Sequence, residues 1–161
     1  MSGSLQPEDI TPLRSGTSLS EAHHHERCWA CGSRRHGGLQ LRFIQGNDHS
    51  VGSQFDCAEF YAGYPGIIHG GVISAVLDAA MTHCLFARGE DALTTELKVR
   101  FRSPVAVGTP GKVRATLVRT RGQFIEVAAE FWQDGKLCAV SRGKFIRSQG
   151  NLNPLAPYPT A

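Results

Sequence analysis

Residues 66–87 read GIIHGGVISAVLDAAMTHCLFA, and this stretch decides the fold. After His69-Gly70-Gly71 come about sixteen residues that are apolar nearly all round, which predicts a helix buried on most sides rather than an amphipathic one. Downstream the period changes to two. From Thr94, Leu97, Val99 and Phe101 face one way and Lys98, Arg100 and Arg102 the other, until Ser103-Pro104 ends the run. Three more strands follow at Val113–Leu117, Ile125–Phe131 and Leu137–Ile146, joined by the tight turns Arg121-Gly122-Gln123 and Gln133-Asp134-Gly135. Upstream, Leu39, Leu41 and Phe43 alternate with Gln40 and Arg42, and Val51, Phe55 and Cys57 follow the turn at Gly46-Asn47-Asp48, which predicts a hairpin. Residues 58–68 read as a loop. The order β-β-α-β-β-β-β predicts an α+β fold in which a curved antiparallel sheet wraps around one central helix.

The polar atoms of the helix carry the chemistry. Ser74, Asp78 and Thr82 are spaced i, i+4, i+8 and so share one face. Back-bonding to helix carbonyls accounts for Ser74 and Thr82. A carboxylate on so apolar a helix must instead be paired, solvated in a cleft or protonated, and the last two are environments of a catalytic acid or base. His69-Gly70-Gly71 stands at the N-terminal end, where unpaired N–H groups and the helix dipole favour developing negative charge. Glycine there lets a bound carbonyl approach the backbone closely, which makes the turn a candidate oxyanion site.

The chain has 161 residues and 41% hydrophobic content, the balance of one globular domain with a sizeable core. No apolar run is long enough to cross a bilayer and the N-terminus lacks a secretory pattern, so the expectation is a cytoplasmic protein. Residues 1–27 and 148–161 are polar and aperiodic, leaving 28–147 as the domain between flexible ends. His23, His24 and His25 read as part of the solvated tail. A net charge of +3 does not argue for nucleic acid, but it is unevenly spread. Residues 1–97 balance to −5 and residues 98–161 to +8, so the second half favours an anionic partner. The five cysteines, Cys28, Cys31, Cys57, Cys84 and Cys138, read as thiols in a reducing compartment.

The turn and helix in GIIHGGVISAVLDAAM, the strand TTELKVRFRSPV and the lead-in CWACGSRRHGGLQLRF together resemble the hotdog-fold acyl-CoA thioesterases of the PaaI-like, phenylacetate-pathway group, over roughly Cys28 to Ile146. The resemblance implies that Asp78 is the general base or nucleophile and that the Gly70 amide polarises the thioester carbonyl. It further implies that His69 supports the turn and Thr94 helps position water. The site would lie between two subunits, the turn from one and the Asp from the other, so the expected state is a homodimer or homotetramer, without cofactor. Several relatives carry an Asn in the loop before the turn; here that loop, YAGYPGII, has no Asn or Gln, so either a group such as Tyr61 or Tyr64 substitutes or the activity is slow or aimed at an unusual substrate. Gly71, Tyr64, Arg100 and Arg102 are the expected substrate-binding residues, the arginines with Arg119, Arg121, Lys144 and Arg147 being candidates for the phosphates of coenzyme A. Pocket depth would be set by Phe60, Tyr64, Met81 and Phe86.

Cys28-Trp29-Ala30-Cys31 has the spacing of a zinc half-site, with His25 or His36 as possible partners. A closed site needs four ligands and there is no second C-x-x-C, so no metal is expected. Metal-dependent hydrolysis through His69, Asp78 and His83 is excluded by the rotation of His83 away from Asp78. A dehydratase would need a catalytic His that the loop does not offer. The alternative function is a non-catalytic acyl-CoA-binding module with the same pocket.

Overall fold

The computed structural model describes residues 25, 27–32, 37–46 and 48–148. Residues 1–24, with His23 and His24, and 149–161 lie outside them, as does His36. The strands are β1 (Ile44–Gln45), β2 (Val51–Phe55), β3 (Ala62–Tyr64), β4 (Ile67–Ile68), β5 (Ala92–Phe101), β6 (Gly111–Arg121), β7 (Phe124–Gln133) and β8 (Lys136–Arg147). The single α-helix among the described residues, α1, is Gly70–Phe86. Six strands form a sheet in the order β1-β2-β6-β7-β8-β5, every pair antiparallel, while β3 and β4 make a separate two-stranded ribbon. The sheet curves around α1 as expected from the sequence.

Packing follows the period-two pattern. Val113 and Ala115 of β6, Ile125, Val127, Ala129 and Phe131 of β7, and Ala139 and Phe145 of β8 turn inward and are buried. Ile73, Val76, Leu77, Ala80, Met81 and Leu85 of α1 meet them. Gly143 on β8 makes room for the helix: a Cβ there would stand 3.1 Å from the Met81 sulfur and 2.7 Å from the Phe145 ring. The Asp134-Gly135 turn between β7 and β8 has φ of 50° and 73°, the left-handed pair that matches strand twist.

Two expectations are corrected. Leu39, Leu41 and Phe43 are buried and alternate with exposed Gln40 and Arg42, yet they form no strand. Their segment bonds instead to the lead-in, Leu39 N–H to the Trp29 carbonyl and Leu41 N–H to that of Ala30, each at 3.0 Å, so only Ile44–Gln45 pairs with β2. Residues 58–68 are more than a loop: they hold a 3-10 turn at Glu59–Tyr61 and the β3–β4 ribbon. This ribbon is tied to the segment before β6 by Ile68 N–H to the Val105 carbonyl (2.9 Å) and Val107 N–H to that of Gly66 (3.0 Å).

Candidate active site

The site starts from the N-terminus of α1. His69 is the N-cap, with extended backbone (φ −60°, ψ 132°), and its Nδ1 accepts the Gly71 N–H at 2.9 Å. Nδ1 as acceptor leaves the proton of the neutral ring on Nε2, on the side away from the helix. Gly63 lies under the ring: a Cβ there would be 3.0–3.2 Å from His69 atoms. Gly70 is the first helical residue, and its N–H donates to no protein acceptor among the described residues. The Phe101 ring covers it, 3.2 Å from where a Cβ would stand.

These residues open onto a cleft of about 710 Å³, walled by Tyr64, Ile67, His69, Gly70, Phe101 and Arg102, with Ser103, Pro104 and Val105 opposite the ribbon. The segment that continues from this wall is pinned by a buried amide. Gln133 Oε1 accepts the Ala106 N–H (2.8 Å), while its Nε2 donates to the carbonyls of Ala106 (2.9 Å) and Thr109 (2.6 Å).

Asp78 lies further along α1, half-buried on the stripe with half-buried Ser74 and Thr82. Its Oδ1 accepts the Thr94 hydroxyl at 3.0 Å. Burial pushes its carboxyl above the usual range; the Thr94 bond opposes this, and negative charge on the Cys28 sulfur adds to it. Ser74 bonds back to the Gly70 carbonyl at 3.0 Å, the structural role expected of it.

The structure thus brings Asp78 to Thr94, and His69, Gly70, Tyr64 and Arg102 to the cleft. It does not bring Asp78 to Gly70. Eight residues of helix put them about 12 Å apart along the axis, too far to act on one carbonyl. The Gly71 N–H is engaged by His69, and Arg100 is exposed on β5 outside the cleft wall. Of the six basic residues singled out, Arg119 pairs with Glu126, Lys144 with Glu96 and Arg147 with Glu90. Arg100, Arg102 and Arg121 have no ion pair among the described residues and remain open to an anion. Tyr61 is also engaged, donating to the Gly38 carbonyl at 2.9 Å, so the exposed Tyr64 is the tyrosine open to the cleft. Met81 and Phe86 are buried in the core and Phe60 is exposed outside the cleft wall. Sequence reasoning missed Phe101 over Gly70, Gly63 under His69 and Gln133 behind the cleft. The first two depend on how separate segments cross, and a lone Gln beside an Asp-Gly turn looks like turn chemistry.

Comparison with known proteins agrees with this architecture. Residues 65–139 match the thioesterase superfamily family model. A crystal structure of a thioesterase superfamily protein superposes with a TM-score of 0.73 at 22% identity, covering 86% of this chain and 74% of the other. The Escherichia coli PaaI protein from the phenylacetic acid degradation operon gives a TM-score of 0.69 at 18% identity, covering 80% and 95%. A Streptococcus mutans protein bound to acetyl-CoA gives 0.63 at 15% identity, covering 67% and 88%. Among the described residues no helix is long and apolar enough to cross a membrane. Residues 65–139 thus carry the match to the thioesterase superfamily, and the fold is the hotdog fold of these structures, with a central helix that carries Asp78 and a glycine turn that presents the Gly70 N–H.

Proposed function

We propose that this protein is a cytoplasmic acyl-CoA thioesterase whose active site is completed by a second copy of the chain. The observation that carries the reading is the pairing of an open Gly70 N–H at a helix N-terminus with a half-buried carboxylate, Asp78, held by Thr94. The two are too far apart within one chain, and two features favour a partner. The edge strand β5 pairs only with β8 in the described chain and exposes Leu97 (36%) and Phe101 (52%), an unprotected ten-residue edge. The stripe of α1 bearing Asp78 is likewise only half covered, although from Val76 to Phe86 all the other helix residues are buried.

In this reading the thioester carbonyl accepts the Gly70 N–H of one copy, where the helix dipole stabilises the oxyanion. Asp78 of the other copy takes a proton from water as its oxygen attacks the carbonyl carbon. Collapse of the tetrahedral intermediate breaks the C–S bond, and the leaving thiolate takes the proton back from Asp78. The products are a carboxylic acid and coenzyme A. Thr94 orients Asp78 through Oδ1 and leaves Oδ2 for the water. His69 locks the turn, Tyr64 lines the acyl cleft in place of the absent loop Asn, and Arg102 with Arg100 offers charge to the coenzyme A phosphates. No step needs a metal or a cofactor.

The test is release of free thiol from short, medium, long-chain and aryl acyl-CoAs by the parent and by Asp78→Asn. Turnover by the parent alone supports the reading and identifies the acyl class. Acyl-CoA bound by both proteins and cleaved by neither would establish the binding module instead.

A further inference from the structure

Three potential soft-metal donors, from His25, Cys31 and His83, converge beside α1, and Cys28 adjoins them. One ligand atom each from His25, Cys31 and His83 lie within 4.8 Å of one another. The His25 Nδ1 to Cys31 Sγ distance is 3.8 Å. Cys28 is close enough for its side chain to interact with those of Cys31 and His25. The lead-in is wound to produce this cluster. Cys28 N–H bonds to the His25 carbonyl (2.9 Å) and Gly32 N–H to that of Cys28 (2.8 Å), and such turns bring side chains spaced by three onto one side. Residues 25, 28 and 31 have that spacing. His83 arrives from the helix, five residues beyond Asp78, which sets it about 140° around the axis and about 7.5 Å further along.

The surroundings are those of a closed site. Cys31 and His83 are 1% and 2% exposed. The His83 ring stacks on Phe43 with centroids 4.2 Å apart and meets the edge of Phe86 at 5.1 Å, while His25 packs on Phe86 at 4.7 Å. Arg42 Nη1 donates to the Cys31 carbonyl at 3.0 Å and fixes the backbone behind that ligand. Two thiolates and two neutral imidazoles around a divalent ion sum to zero charge, the arrangement an apolar shell tolerates best.

The geometry points to a structural zinc site formed by Cys28, Cys31, His25 and His83, clamping the N-terminal lead-in onto the central helix. Two sulfur and two imidazole donors are the set that selects zinc over the harder divalent ions. Binding displaces one proton from each thiol to solvent, and the ion keeps its oxidation state. A dithiol–disulfide couple, the other use of C-x-x-C, engages only two of the four side chains. The site also supplies what the sequence alone lacked: the ligand outside the lead-in comes from His83, on a helix more than fifty residues downstream.

The test uses the full chain, loaded with zinc under reducing conditions, dialysed against metal-free buffer and assayed by elemental mass spectrometry. The expected result is one zinc ion retained per chain, falling by more than about tenfold in Cys31→Ser and in His83→Asn. Cobalt loading of the parent needs no variant and covers the case in which a variant fails to fold. Tetrahedral ligand-field bands with thiolate-to-cobalt charge transfer are expected. Chelation should lower the parent's Tm. The site is disproved if the dialysed parent is zinc-free, if cobalt shows no thiolate charge transfer, or if folded Cys31→Ser and His83→Asn both retain zinc like the parent. A Cys28–Cys31 disulfide persisting in the zinc-treated reduced protein would overturn it as well.

Discussion

Asp78 and Gly70 divide the proposed chemistry between a side chain and a backbone atom, and each can be removed alone. Asp78→Asn keeps an oxygen to accept the Thr94 hydroxyl but cannot take a proton. Acyl-CoA hydrolysis should fall about 10²–10⁴-fold, measured by thiol release. Burial raises the Asp78 carboxyl above its ordinary value of 3.8, so the folded state binds its proton more tightly than the unfolded chain does. The stability gained by protonation is present at low pH and lost as pH rises through the raised folded value. The neutral Asn should therefore be more stable than the parent at pH 7, with the Tm gap closing as pH falls toward the ordinary carboxylate range. The same titration gives the parent an acid limb in kcat/KM centred above 3.8, since the base must be ionised. For the backbone donor the informative change is Gly70→Pro. Proline is well tolerated at a first helical position and removes the N–H itself, and the extended His69 before it already has the conformation a residue before proline prefers. Activity should drop about 10²–10³-fold while circular dichroism retains the helix. Gly70→Ala, which keeps the N–H and adds a Cβ 3.2 Å from Phe101, should lose less.

At the scale of elements, the cleft depends on a segment outside the sheet, residues 102–110, held by backbone bonds to the ribbon and to Cys57 and Cys138 and by one buried side chain, Gln133. Gln133→Leu would leave the Ala106 N–H and the Ala106 and Thr109 carbonyls without their amide partner. Ala106 is exposed and Thr109 half-buried, so water can replace part of the lost bonding; at a net of about 0.5–1.5 kcal/mol per bond, Tm should fall by several degrees and KM should rise more than kcat falls, as the wall loosens. Thermal melts and steady-state kinetics on the same preparation check this. The helix, the four strands after it and their turns were legible because each states its period locally: the even apolar run of α1, the alternation of β7, the Asp134-Gly135 turn. Asp78 was legible for the same reason, as a charge out of place on an apolar helix. Leu39–Phe43 shows the limit. Alternation revealed its buried face correctly, but it is silent on whether the backbone pairs with β2 or with Trp29 and Ala30, which depends on the path of the lead-in. Leu97 and Phe101 show it again, since a period of two does not tell an edge strand from a central one. The crossing of Phe101 over Gly70 depends on that edge position.

At the scale of the whole molecule, the roughly 12 Å between Gly70 and Asp78 makes a second copy of the chain a requirement of the proposed mechanism. A site that takes its N–H from one chain and its carboxylate from the other makes a sharp prediction for mixed subunits. Asp78→Asn still supplies an intact Gly70, and Gly70→Pro still supplies an intact Asp78. Each homodimer is dead, but a heterodimer holds one site with both defects and one site with neither. Random exchange makes half the dimers mixed, each with one good site of two, so the mixture should recover about a quarter of parental activity. Thiol release is measured before and after co-incubation under conditions that let subunits exchange, with a doubly substituted chain as the control that must stay inactive. If mass spectrometry shows heterodimers and activity stays at the level of the separate variants, the catalytic groups do not come together across the subunit boundary. Recovery would require that they do, because neither variant chain carries a complete set.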